Sequence, residues 1–181
     1  MDVRPDIQIQ SMIKAMIDVV LPAVDEGNKL AREQARLVIG TLQLVAKRLP
    51  IAYRYDRDEL NRYVALSREL VIQVGKKAGG PSISGLEALV AHGEDVLERA
   101  RAEPSELETA IFNLRASVSE VVQAVRAQGD NETQASVRKL VLAASKEELK
   151  RERALVVEMG FEADPNALPP PIDSQLPPVN I

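Results

Sequence analysis

The stretch IAYRYDRDELNRY, Ile51 to Tyr63, interleaves tyrosine with arginine. It holds all three tyrosines of a chain whose other aromatic residues are Phe112 and Phe161. Tyrosine and arginine are the types enriched at binding hot spots, and an arginine stacked on a ring can hold a planar ligand or an anion. Tyr53, Arg54, Tyr55, Arg57 and Tyr63 are therefore the candidate ligand- or partner-binding residues. A structural expectation competes with this one. Tyr53 and Tyr55 fall in a connector between two helices, where rings often plug the end of a bundle. Tyr63 falls on the core face of the next helix, and Arg57 and Arg62 lie within reach of Asp58 and Glu59.

A second chemistry is suggested by VGKKAGGPS. The Walker pattern fails, because Leu70 stands where its first glycine belongs and Lys77 where its hydroxyl belongs. What remains is an anion site: Lys76 and Lys77 beside Gly79, Gly80 and Ser82, just ahead of a helix start whose free amides attract negative charge. A C-cap, a turn and an N-cap explain the same residues. DRDELN fails as a calcium loop, since Asn61 replaces its glycine and Ser67 its final glutamate. The one histidine, His92, has no nucleophile arranged around it, and a di-iron bundle site needs two Glu-x-x-His motifs. There is no cysteine, which removes thiol catalysis and Cys-ligated metals. No catalytic set, metal or cofactor is expected, and the chain reads as a non-enzyme.

These groups must be positioned by helices. The chain has 181 residues, 45% apolar but only 3% aromatic. Its core must come from Ala, Leu, Val and Ile, which suits close helix packing. Net charge is −4, which argues against a nucleic-acid surface. No apolar run approaches the ~18 residues of a membrane span, and no basic segment precedes an apolar one as in a signal peptide. A cytoplasmic location is expected.

Periodicity is helical almost throughout. Pro5 and Asp6 open a first helix, kinked near Pro22 and ended by Gly27-Asn28. A second runs from about Asn28 to Leu49. Its middle, LVIGTLQLVA, is apolar on nearly every side, so this helix should be central, with Gly40 admitting a neighbouring backbone or a ligand. Pro50 stops it. A third helix starts at Asp56, capped with Glu59, and ends at GKKAGG. PSIS begins a fourth, whose face includes Leu86, Leu89, Val90 and Gly93. Pro104, with a Ser105/Glu108 capping box, begins a fifth. There Leu107, Ile111, Leu114, Val118, Val121 and Val125 step 4, 3, 4, 3, 4, the period of a packed seam. A sixth region runs from Asn131 to Met159, with a possible restart at Ser145 and a solvated Glu147–Arg151 pair.

Six of the last twenty residues are proline, which excludes helix and central strand there. Yet Leu168, Ile172, Leu176 and Val179 punctuate this tail at regular intervals, as docking residues would. The expected architecture is all-α: an antiparallel bundle of five to six helices over residues 1–160, with an extended Pro-rich tail, 161–181, docked on the bundle or on a neighbouring subunit. The expected function is a helical interaction or assembly protein that works through helix-face and tail docking on a protein partner, itself included. The alternative is a bundle that binds a small apolar or anionic molecule, with a cavity against Gly40 and the first helix.

Overall fold

The structure, a computed structural model, describes residues 4–75, 81–99, 101–160 and 164–178. These residues are helical almost throughout and contain no strand. Six long helices form the frame: α1 Pro5–Ala15, α2 Lys29–Arg48, α3 Ala52–Gly75, α4 Pro81–Glu98, α5 Pro104–Gln128 and α6 Asn131–Val156. The chain divides into two compact units. One comprises Met1–Ala52 and Glu152–Asp173, the other Tyr53–Arg151 and Ser174–Ile181. α6 belongs to both units, Asn131–Arg151 to the second and Glu152–Val156 to the first.

The second unit holds the continuous core. All six residues of the α5 seam are buried, and Leu107 and Leu114 are fully inaccessible. Leu60, Val64, Leu70 and Val74 of α3 pack in the same cluster with Ile83, Leu86, Val90 and Val96 of α4. Close packing needs one glycine. A Cβ at Gly93 would meet Val64 at 2.8 Å, with Leu114 and Leu60 just beyond. The backbone-approach role expected of Gly40 is thus met by Gly93; nothing lies within 4 Å of a Cβ placed on Gly40.

The first unit is thinly filled. Among its described residues, the buried hydrophobics are Ile13, Ala35, Ile39 and Ala154. The second helix is therefore not an enclosed central element. It buries the Ala35–Ile39 face and leaves Leu37, Val38 and Val45 exposed. Asn28 begins it, its side chain accepting from the Ala31 amide at 3.0 Å. Ahead of Pro22 the first helix widens into a π turn, Met16–Val20, and continues through Leu21–Ala23. The wider turn is a way to accommodate a ring that cannot donate and would crowd the preceding carbonyl.

Several local expectations need correction. Pro50 ends α2 as expected, after Arg48, but the 3₁₀ turn that contains it, Leu49–Ile51, leads straight into α3 with no loop between. Tyr53, Arg54 and Tyr55 are thus helical and not in a loop, and Asp56 is not an N-cap. The α5 cap is Glu103 with Glu106, two residues earlier than Ser105 with Glu108; the Glu103 amide donates to Glu106 Oε2 at 2.8 Å. Pro104 at the first helical position fixes that register, because its missing N–H costs nothing there. Ser145 starts no new helix, since α6 runs through it. Proline also failed to exclude helix everywhere in the tail. Ile172–Gln175 forms a single helical turn in the stretch between Pro171 and Pro177.

Candidate interaction site

The tyrosine–arginine segment is tied down on every side. Tyr53 donates its hydroxyl to the Ala102 carbonyl at 3.2 Å, and the Arg57 guanidinium stands 6.0 Å from its ring centroid. Arg57 also donates to the Leu97 carbonyl and pairs with no carboxylate among the described residues. Arg54 donates to the Pro177 carbonyl at 3.2 Å. Tyr55 is half-buried. Tyr63 lies under Arg115, 5.0 Å from ring centroid to guanidinium, and burial, more than any neighbouring charge, raises its pKa. The structure brings Tyr53, Arg54, Tyr55 and Arg57 onto the first turns of α3 and sets Tyr63 two turns further along.

Beside them lies a charged junction of α3, α5 and α6. Asp58 accepts from Arg62 at 2.9 Å and from Arg151 at 3.2 Å. Glu148 accepts from Arg62 and, at 3.2 Å, from Arg115, which also binds Glu59. Asp58 and Glu59 are buried, yet three arginines answer the three carboxylates, as buried charge requires. The charge-rich run SKEELKRER therefore does more than meet solvent. Glu147 and Arg151 pair at 3.3 Å as the spacing predicts, but Glu148 and Arg151 also reach across to α3.

A cleft of about 280 Å³ opens next to this junction, between Asp56, Glu59, Glu108 and Arg115, with Ile111 and Phe112 alongside. Burial, and then the charge of Glu108, raises the Asp56 pKa. Neither Asp56 nor Glu108 has a cationic partner among the described residues. The cleft is acidic, so it does not suit the anionic ligand considered from sequence. Among the described residues no group of three or more His, Asp or Glu is placed to hold a metal ion. No described helix is long and apolar enough to cross a membrane. Of the expected anion site, Lys76, Lys77, Gly79 and Gly80 lie outside the described residues, as does the Ser82 side chain.

In the tail, Leu176 is 5% exposed and Leu168 50% exposed. Ile172 is half-buried, and Val179 lies outside the described residues. Arg151 reaches the Gln175 carbonyl at 3.5 Å, next to the Arg54–Pro177 bond.

The largest unsatisfied feature is apolar. On α2, Leu30, Leu37, Val38 and Val45 are exposed, and on the first helix and its π turn so are Met12, Ile17, Val19 and Val20. Sequence reasoning placed the α2 residues in the core and passed over them as a surface. The signal was there in the uncharged run Leu37–Ala46, which carries more apolar residues than one buried face can use. No protein-family model, curated protein or solved structure matches this chain.

Proposed function

We propose that this chain is a non-enzymatic helical assembly protein that docks through the open apolar faces of its first unit, with a second copy of itself as partner. The observation that carries this reading is α2. It spends Ala35 and Ile39 on its own fold and exposes Leu37, at 51%, and Val38, at 46%, on another side. Soluble chains seldom leave such neighbouring apolar side chains uncovered without a partner. The antiparallel order of the helices and the docking of the tail belong to the same reading. Leu176, held near the Arg54 and Arg151 contacts, would keep the end of the tail on the second unit. The small-molecule alternative has no comparable support, because the cleft beside Glu59 is acidic and is not lined by Gly40 or the first helix.

Native mass spectrometry and sedimentation across a range of concentrations test this. Full-length protein is expected to self-associate, and Val38→Glu with Val45→Glu to make it monomeric without loss of helicity. A wild-type chain that stays monomeric at all concentrations would overturn the reading. Truncation after Phe161 is expected to lower the melting point.

A further inference from the structure

We propose that α2 pairs with α2 of the second copy in antiparallel register, about a two-fold axis at Gly40; this rests on the self-association proposed above. Leu30, Gln34, Leu37, Thr41 and Leu44 step 4, 3, 4, 3 along α2. That is the a/d period of a two-stranded seam. It is a different side of the helix from Ala35 and Ile39, which α2 buries within its own chain. The Thr41 hydroxyl donates to the Leu37 carbonyl at 2.9 Å, so its donor is already satisfied.

The flanks of the seam decide the partner and its direction. Val38 and Val45 lie along one flank; Glu33, Gly40 and Lys47 lie along the other, one heptad apart. In an antiparallel pair, like flanks face each other. Glu33 then stands opposite Lys47 of the second copy, and the two-fold repeats the pair at the other end. Gly40 meets its own copy at the centre, where no described residue approaches its Cβ position within 4 Å and two backbones can come close. The same register sets Leu37 against the smaller Thr41, twice. A parallel pair would set Glu33 against the valine flank, leaving only Arg36 of its own helix, 3.9 Å away, to answer its charge. The pattern is therefore self-complementary in one direction only, which favours a second copy over an unrelated helix.

Charge reversal in the full chain tests the register. Glu33→Lys or Lys47→Glu alone puts like charges together at both ends, and each is expected to weaken self-association about tenfold by sedimentation. Combining the two should restore it. A double variant no tighter than the singles would overturn the proposal. The chain has no cysteine, so single cysteines report geometry cleanly. A short thiol cross-linker should join Gly40→Cys chains into dimers. It should not join Glu33→Cys chains, whose paired sites lie about 14 residues, ~21 Å, apart along the axis. Efficient cross-linking of Glu33→Cys would mean a parallel pair. If Val38→Glu with Val45→Glu dissociates the protein while both charge reversals leave it unchanged, the register is wrong and the docking function stands. A monomeric wild type sinks both.

Discussion

A methyl group added to Gly93 on α4 would stand 2.8 Å from Cγ2 of Val64 on α3. Leu114 and Leu60 close the same spot at 3.4 and 3.5 Å, so three helices meet over one missing side chain. Valine is stiff at χ1 and cannot swing its methyl aside cheaply. Gly93→Ala is expected to destabilise the fold by about 1–3 kcal/mol in urea unfolding, although alanine is the better helix former. Gly40→Ala is the control. With open space around it, it should stabilise the monomer by up to about 1 kcal/mol. Equal effects at the two positions would remove the packing account.

Ser67 is fully buried, and its hydroxyl has no hydrogen-bond partner among the described residues. An unpaired buried hydroxyl costs free energy that alanine does not. Ser67→Ala is expected to stabilise by about 1 kcal/mol. A loss of stability would show that the hydroxyl has a partner, such as a buried water.

Glu148 is the carboxylate that Arg62 and Arg115 share. Its removal leaves two guanidinium groups partly enclosed without their common anion. Glu148→Ala should cost about 2–3 kcal/mol, discounted from a fully buried pair because Arg115 is partly exposed. Adding Arg62→Ala to that variant should cost less than Arg62→Ala alone, because the residues act as one network. Simple additivity in the double-mutant cycle would show that they do not.

Asp56 carries a pH signature. Its pKa is raised above the ordinary 3.8, first by burial and then by Glu108. In the window just above that value the folded chain keeps a proton that the unfolded chain has lost, so stability falls as pH rises through it. The deficit then persists at neutral pH. Asp56→Asn should raise the melting point at pH 7 and make no difference below the window, where both states are protonated. An equal gain at both pH values would contradict this assignment.

The tail contacts separate by residue. Leu176 is buried and Leu168 is not. Leu176→Ala should lower stability by about 2 kcal/mol, and Leu168→Ala should leave it within experimental error. Denaturant midpoints of the two variants decide it, and a silent Leu176→Ala would leave the proposed docking of the tail without support.

Much of the fold is legible in local pattern. The α5 seam could be read from six residues, because a 3.5-residue repeat of branched apolar side chains has one low-energy use, and all six are buried. Asn28 as a cap follows from the same kind of short-range rule. The errors lie where two local rules competed. Asp56 with Glu59 has cap spacing, but the 3₁₀ turn Leu49–Ile51 had already started α3 at Ala52. Ser105/Glu108 and Glu103/Glu106 both satisfy cap spacing, and Pro104 selected between them.

The sequence by itself determined that this protein is helical, where its main helices lie and which face of α5 is buried, because periodicity and capping act within a few residues of the chain. It determined also that cysteine chemistry is absent. Only the tertiary structure decided which apolar face of α2 is covered, that Gly93 and not Gly40 marks the close helix contact, and that Glu148 faces arginines in place of solvent. Those outcomes depend on residues tens of positions apart meeting in space. An apolar or charged side chain looks the same in sequence whether its partner is its own chain, solvent or another molecule.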